Sequence, residues 1–175
     1  MFVLGIDPGL SRCGYGCIDA AGGHRSRAGI AAKAVAVGVI TTPPDAPLPE
    51  RLAELQRELR ALIAELRPSV VAVERVFFQV NVRTAMGVGQ ASGIAMAEAV
   101  NAGCVVAQYS PNQVKEAVAG SGSASKEEIE RMVQTLLGIA TPLRPVDAAD
   151  AVALALCHLA HAPRLAQLAK AGVAR

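Results

Sequence analysis

Aromatic residues are scarce in this chain. There is no tryptophan, and aromatics make up 3% of the 175 residues. The adjacent pair Phe77-Phe78 therefore stands out. The four cysteines, Cys13, Cys17, Cys104 and Cys157, include no Cys-x-x-Cys pair and no second half of a zinc motif. His158 and His161 can share a helix face, with Cys157 nearby, but that helix is otherwise apolar. Free thiols of a cytosolic protein are the plainer reading. No apolar run approaches membrane-spanning length. The N-terminus enters a strand directly, without a charged region and a cleavable apolar segment, so the cytoplasm is the expected compartment. No internal repeat and no interdomain linker is visible. The net charge of +2 is too small to announce nucleic-acid binding by itself. It leaves room for a local basic groove beside an acidic site.

What is present is a folded, globular composition, 52% hydrophobic, in a length that suits one domain with a proper core. Two apolar runs each end on an acid. Phe2-Val3-Leu4-Gly5-Ile6 runs into Asp7, and Val70-Val71-Ala72-Val73 runs into Glu74. Both runs read as buried strands, and a carboxylate at the end of a buried strand is costly unless something positive meets it. Asp147 and Asp150 stand three apart at the start of an apolar helix and share one face. A divalent hard cation such as Mg2+ or Mn2+ is the natural partner for such a group. Taken singly, each acid has a plainer role. Asp7 can open a turn before Pro8-Gly9, Glu74 can pair with Arg75, and Asp147 can cap a helix.

The order of elements begins as a meander. Strands are expected over residues 2–7, 14–18 and 34–40, with a hairpin tip from Ala21 to Lys33. A Pro-rich connection leads to a helix whose Leu52, Leu55, Leu59, Leu62, Ile63 and Leu66 fall on one face, stopped by Pro68. Helix and strand then alternate: a strand at 70–74, a small-residue helix at 84–100 and a strand at 104–108. Ser110-Pro111 and the capping box Ser125-Lys-Glu-Glu128 each open a helix. The last long helix starts near Asp147. The expected unit is one α/β domain over 1–162, a mixed central sheet with a three-strand antiparallel meander flanked by helices. Residues 163–175 form a C-terminal tail.

Several motifs, in order and over nearly the whole chain, resemble the RuvC family of Holliday junction resolvases. They are Gly5-Ile6-Asp7-Pro8-Gly9 with Gly14-Tyr15-Gly16, Glu74-Arg75-Val76-Phe77, Gly89-Gln90-Ala91-Ser92-Gly93 and Asp147-Ala148-Ala149-Asp150-Ala151. The resemblance implies an RNase H-like fold and a homodimer that resolves four-way junctions in recombination and repair. It implies metal-dependent paired nicks in strands of like polarity that leave 5′-phosphate ends. Asp7, Glu74, Asp147 and Asp150 are its catalytic and metal-binding carboxylates, holding two Mg2+ ions for which Mn2+ can substitute. Some relatives carry His at the position of Asp147. The resemblance also implies work beside a RuvA-RuvB branch-migration complex. The 22–33 segment is longer than is usual for the family, and its basic residues read as a solvated loop or a DNA contact.

The DNA-facing candidates are Phe77, Phe78, Asn81, Arg83, Lys115 and Lys126. The family places an aromatic at Phe77 against a base at the junction centre, where stacking is worth ~1–3 kcal/mol. Both rings can equally be core. Asn81 and Arg83 follow in a loop within reach of phosphate. Lys115 and Lys126 match basic positions of the family, and Lys126 opens a helix, where the dipole disfavours a cation. A solvated lysine is the plainer role for each. Two other classes share some of these features. One is an RNase H-fold nuclease acting on RNA or hybrid. The other is a non-cleaving domain: an actin-type ATPase, for which the chain is too short, or an inactive junction-binding scaffold.

Overall fold

The computed structural model describes residues 1–21, 32–76 and 82–170, with side chains except at 82–84 and 164–170. Its elements are β1 (Phe2–Asp7), β2 (Arg12–Asp19), β3 (Lys33–Thr41), α1 (Leu48–Leu66), β4 (Val70–Glu74), α2 (Val82–Asn101), β5 (Val105–Tyr109), α3 (Pro111–Ala119), α4 (Lys126–Leu137) and α5 (Val146–Lys170). The strands form one mixed sheet in the order β3-β2-β1-β4-β5. β1, β2 and β3 make the antiparallel meander, and β4 and β5 run parallel to β1. The expected fold class is the observed one.

Side chains alternate across a strand, so each strand sorts its residues between two layers. On one face Leu4, Ile6, Val71, Val73, Cys13 and Cys17 are buried with Leu55, Leu59 and Ile63 of α1 and Ala91, Ala95 and Ala99 of α2. The α1 residues recur every four positions, which is one stripe of a helix. On the other face Val3 and Ile18 meet Val152, Ala155 and Leu156 of α5. The apolar α5, buried from Ala151 to Cys157, is the central helix of that layer, with α3 and α4 packed around it.

Two sequence features let α5 lie unusually close to the sheet. A Cβ built on Gly5 would stand 1.8 Å from the carbonyl oxygen of Ala151, and one on Gly14 would stand 2.2 Å from that of Asp147. Only glycine permits such an approach. The first turn of α5 is thereby laid over the ends of β1 and β2. Helices α3 and α4 open as read, with capping boxes at Ser110/Gln113 and Ser125/Glu128.

Several boundaries shift by one or two residues from expectation, and two differences matter most. α2 starts at Val82, which takes Arg83 out of the expected loop and into the first helical turn. α5 continues through Pro163 to Lys170. Proline removes one backbone donor, but its φ is helical, so the chain can pass it without leaving the helix. Among the described residues, no helix is long and apolar enough to cross a membrane.

Candidate active site

Strand register brings the first two carboxylates together. Ile6 of β1 pairs with Val73 of β4 in a parallel ladder, so Asp7 and Glu74 leave the same edge of adjacent strands. Their neighbours Ile6 and Val73 point to the α1–α2 layer, which turns both acids toward α5. Asp150 approaches from the second turn of α5. Asp7, Glu74 and Asp150 line one cleft of about 270 Å³ together with Lys115 of α3 and Lys126 of α4. Five elements thus converge on the cleft.

Like charges in a half-buried pocket hold on to protons. The Asp7 carboxyl is pushed up to about 7, chiefly by burial and then by the charges of Glu74 and Asp150, with a weaker push from Asp147. Burial also raises Glu74, against the opposing effect of a hydrogen bond with Asp7. Both carboxyls therefore hold protons more tightly than free acids do. A proton bound for want of positive charge is what a cation displaces. The donors are hard oxygens, which fit a divalent cation of the Mg2+ or Mn2+ type. Among the described residues, no three acidic, histidine or cysteine groups stand close enough to enclose an ion as they are. Two of the acids are drawn instead to side-chain cations.

One of those cations is Lys126, whose Nζ lies 3.6 Å from Oδ2 of Asp150. This contact accounts for a lysine in the first turn of α4, where the helix dipole disfavours it. The other is Arg12, which the sequence reading did not single out. Its Nε and Nη2 donate to the same oxygen, Oδ2 of Asp147, at 3.0 and 2.7 Å. Asp147 does not line the cleft and sits beside it, held by this pair. The signal for Arg12 was its place two residues before Gly14 on β2, beneath the start of α5. That proximity is visible only once the helix is laid on the sheet.

The remaining candidates divide by location. Phe77, Phe78, Asn81 and most of the 22–33 segment lie outside the described residues, as does the side chain of Arg83. Behind the cleft, Tyr109 ends β5 opposite Glu74, and its hydroxyl hydrogen-bonds Nδ1 of the buried His158 at 2.9 Å. His161 donates through Nδ1 to the carbonyl oxygen of Cys157 at 2.9 Å. The Cys157–His158–His161 group is thus committed to hydrogen bonds, in keeping with free thiols at all four cysteines.

Comparison with known proteins gives this geometry a family. Residues 3–158 match the model of the crossover junction endodeoxyribonuclease RuvC family. A crossover junction endodeoxyribonuclease RuvC of Salinispora arenicola is 52% identical over 159 residues, covering 91% of this chain and 87% of the relative. The structure of Thermus thermophilus RuvC superposes with a TM-score of 0.85 at 37% identity, over 94% of this chain and 96% of that one. The same protein in complex with a Holliday junction substrate also gives 0.85, at 36% identity and the same coverage. With its RNase H-like sheet and its acids at the strand ends, the chain belongs to the RuvC family of crossover junction endodeoxyribonucleases.

Proposed function

We propose that this protein resolves four-way DNA junctions by metal-dependent hydrolysis, nicking two strands of like polarity symmetrically. The observation that carries the reading is the convergence of Asp7, Glu74 and Asp150 on one cleft with Lys115 and Lys126, in a chain of this family. The junction-bound structure of the Thermus thermophilus relative supports the substrate.

Asp7, Glu74 and Asp150 are the residues that would hold the divalent cations, with Asp147 completing the set. Two Mg2+ ions are the proposed complement, with Mn2+ as a substitute. When bound, such ions supply charge neutralisation at the scissile phosphate and an activated water. The chain's own residues perform the rest. Asp7 and Glu74 give up the protons that burial and crowding hold on them. Lys115 and Lys126 offer ammonium groups to the phosphate that enters the cleft. In the net reaction a water oxygen bonds to phosphorus and the bond from phosphorus to the 3′ oxygen breaks. The 3′ oxygen leaves as a hydroxyl and the 5′ end keeps the phosphate, so a ligase can seal the nick.

Phe77 and Phe78 are the proposed stacking residues at the opened crossover, and Asn81 and Arg83 the proposed phosphate contacts beside them. Paired cutting needs two sites related by a two-fold axis, and a homodimer provides them. The outer face of α2 supports this. A Cβ on Gly89 or Gly93 would meet nothing within 4 Å, and Met86 is 58% exposed, while Ala91, Ala95 and Ala99 serve the core. Residues 1–162 are proposed as the nuclease unit and 163–175 as its tail. Cytoplasmic action beside a RuvA-RuvB branch-migration complex belongs to the same reading. The test is a comparison of substrates. Mobile four-way junctions should be cut in paired, symmetric fashion, while linear duplex, RNA–DNA hybrid and single-stranded RNA stay whole. Preferential loss of hybrid or RNA would replace the junction as substrate and leave the fold assignment standing.

A further inference from the structure

The Arg12–Asp147 pair is anchored by the fold. Arg12 opens β2, and the approach of Asp147 to Gly14 brings the helix start within reach of the guanidinium. The pair is also poorly made as an ion pair. Both nitrogens donate to the one oxygen Oδ2, so the fork-to-fork geometry that makes arginine–carboxylate pairs strong is not used. Guanidinium has five N–H donors, and this contact uses two. Arg12 is 52% exposed and Asp147 32% exposed, which places the contact in the class of weak, solvent-screened pairs. A phosphate diester offers two oxygens to the same fork. It is the better partner wherever the DNA backbone passes the rim of the cleft.

We infer that Arg12 is an exchangeable clamp: in the DNA-free protein it holds Asp147 away from the other three carboxylates, and a junction phosphate takes over the guanidinium and releases Asp147 toward them. Arg12 is on this view a phosphate-binding and positioning residue. It couples completion of the cation site to arrival of the substrate. The inference rests on the junction-nuclease reading above.

The experiment measures Mn2+ binding to the DNA-free protein, by the electron paramagnetic resonance signal of the free ion, in wild type, Arg12→Ala, Asp147→Asn and the double variant. Junction binding in Ca2+ is measured across a salt series for wild type and Arg12→Ala. Thermal melts confirm folding, and Arg12→Gln, which keeps the side-chain length, replaces the alanine variant if that one unfolds. Arg12→Ala should bind Mn2+ about threefold more tightly, the scale of an exposed ion pair released. That gain should vanish in the Asp147→Asn background. The slope of log affinity against log salt should fall by about 0.9, as for one lost phosphate contact. A gain that persists without the Asp147 carboxylate reduces Arg12 to a nearby charge and overturns the clamp. So does an unchanged salt slope, or wild-type Mn2+ binding that Arg12→Ala leaves unaltered. Wild-type protein that binds no Mn2+ at all sinks the underlying cation-site reading as well, which separates the two failures.

Discussion

Asp7 and Glu74 stand one residue beyond the paired Ile6 and Val73, and burial together with the charge of Glu74 lifts the Asp7 carboxyl to about 7. In the absence of a cation the Asp7 carboxyl holds its proton more tightly than a free acid does, and that proton ties stability, metal and pH together.

Metal-free protein should lose stability as pH rises. A carboxyl whose folded pKa lies above its unfolded value binds its proton more tightly when folded. Its contribution is full below an unfolded value of 3.8 and lost as pH climbs through about 7. In EDTA, Tm should therefore fall between pH 5 and pH 8, by roughly 4–8 °C for about 2 kcal/mol in a domain of this size. Asp7→Asn should flatten that slope and melt higher than wild type at pH 8. Added Mg2+ should stabilise wild type more at pH 8 than at pH 5. Equal slopes in wild type and Asp7→Asn would contradict the raised Asp7 carboxyl.

Gly5→Ala should damage the fold far more than a methyl group usually does. The new Cβ would fall 1.8 Å from the oxygen of Ala151, a backbone atom that can retreat only with the whole of α5. The expected loss is about 3 kcal/mol or more by urea unfolding, the upper range for overpacking. A stable Gly5→Ala variant would show that α5 does not rest on β1 as described.

Glu98 ties α2 to α1. It is 3% exposed and accepts from Arg60 at 2.8 and 3.0 Å and from Gln56 at 2.6 Å. Those hydrogen bonds hold its carboxyl down to about 2. Its folded pKa lies below the unfolded one, so its stabilisation is present above 4.5 and lost as pH falls toward 2. Arg60→Ala should lower Tm at pH 7 by several degrees, and the deficit should shrink in acid across that window. A deficit independent of pH would assign the loss to packing alone.

Tyr109→Phe should cost about 1–2 kcal/mol, because it strands Nδ1 of the buried His158 without its hydroxyl partner. Urea midpoints compare the variant with wild type. No change would show that the hydroxyl bond is not a net support of the strand end opposite Glu74.

Much of this was legible along the chain because it is local. Apolar runs closing on Asp7 and Glu74, the α1 stripe, the Ser110 cap and the capping box at Ser125 are short-range patterns. Their physical causes act within a few residues. The meeting of the acids is another matter. That β1 pairs with β4, and that α5 crosses both, depends on contacts between distant segments. The family resemblance carried that part where spacing alone left each acid a plainer role. Arg12 and Asp147 lie 135 positions apart, and no periodicity links them. The start of α2 was misplaced because its first turn carries the β-branched Val82 and Thr84, whose local preference is against helix. The course of α5 past Pro163 was missed because a proline within a helix reads locally as its end.

The most direct test of the carboxylate assignment is cleavage of a labelled mobile four-way junction by wild type and Asp7→Asn, with Mg2+ or Mn2+ and with EDTA. Wild type should make symmetric paired nicks only when metal is present. Asp7→Asn should bind the junction with near wild-type affinity and cut at least about 10³-fold more slowly, in line with loss of a group that acts only in the reaction. Metal-dependent cutting by Asp7→Asn at the wild-type rate would contradict the account at its centre.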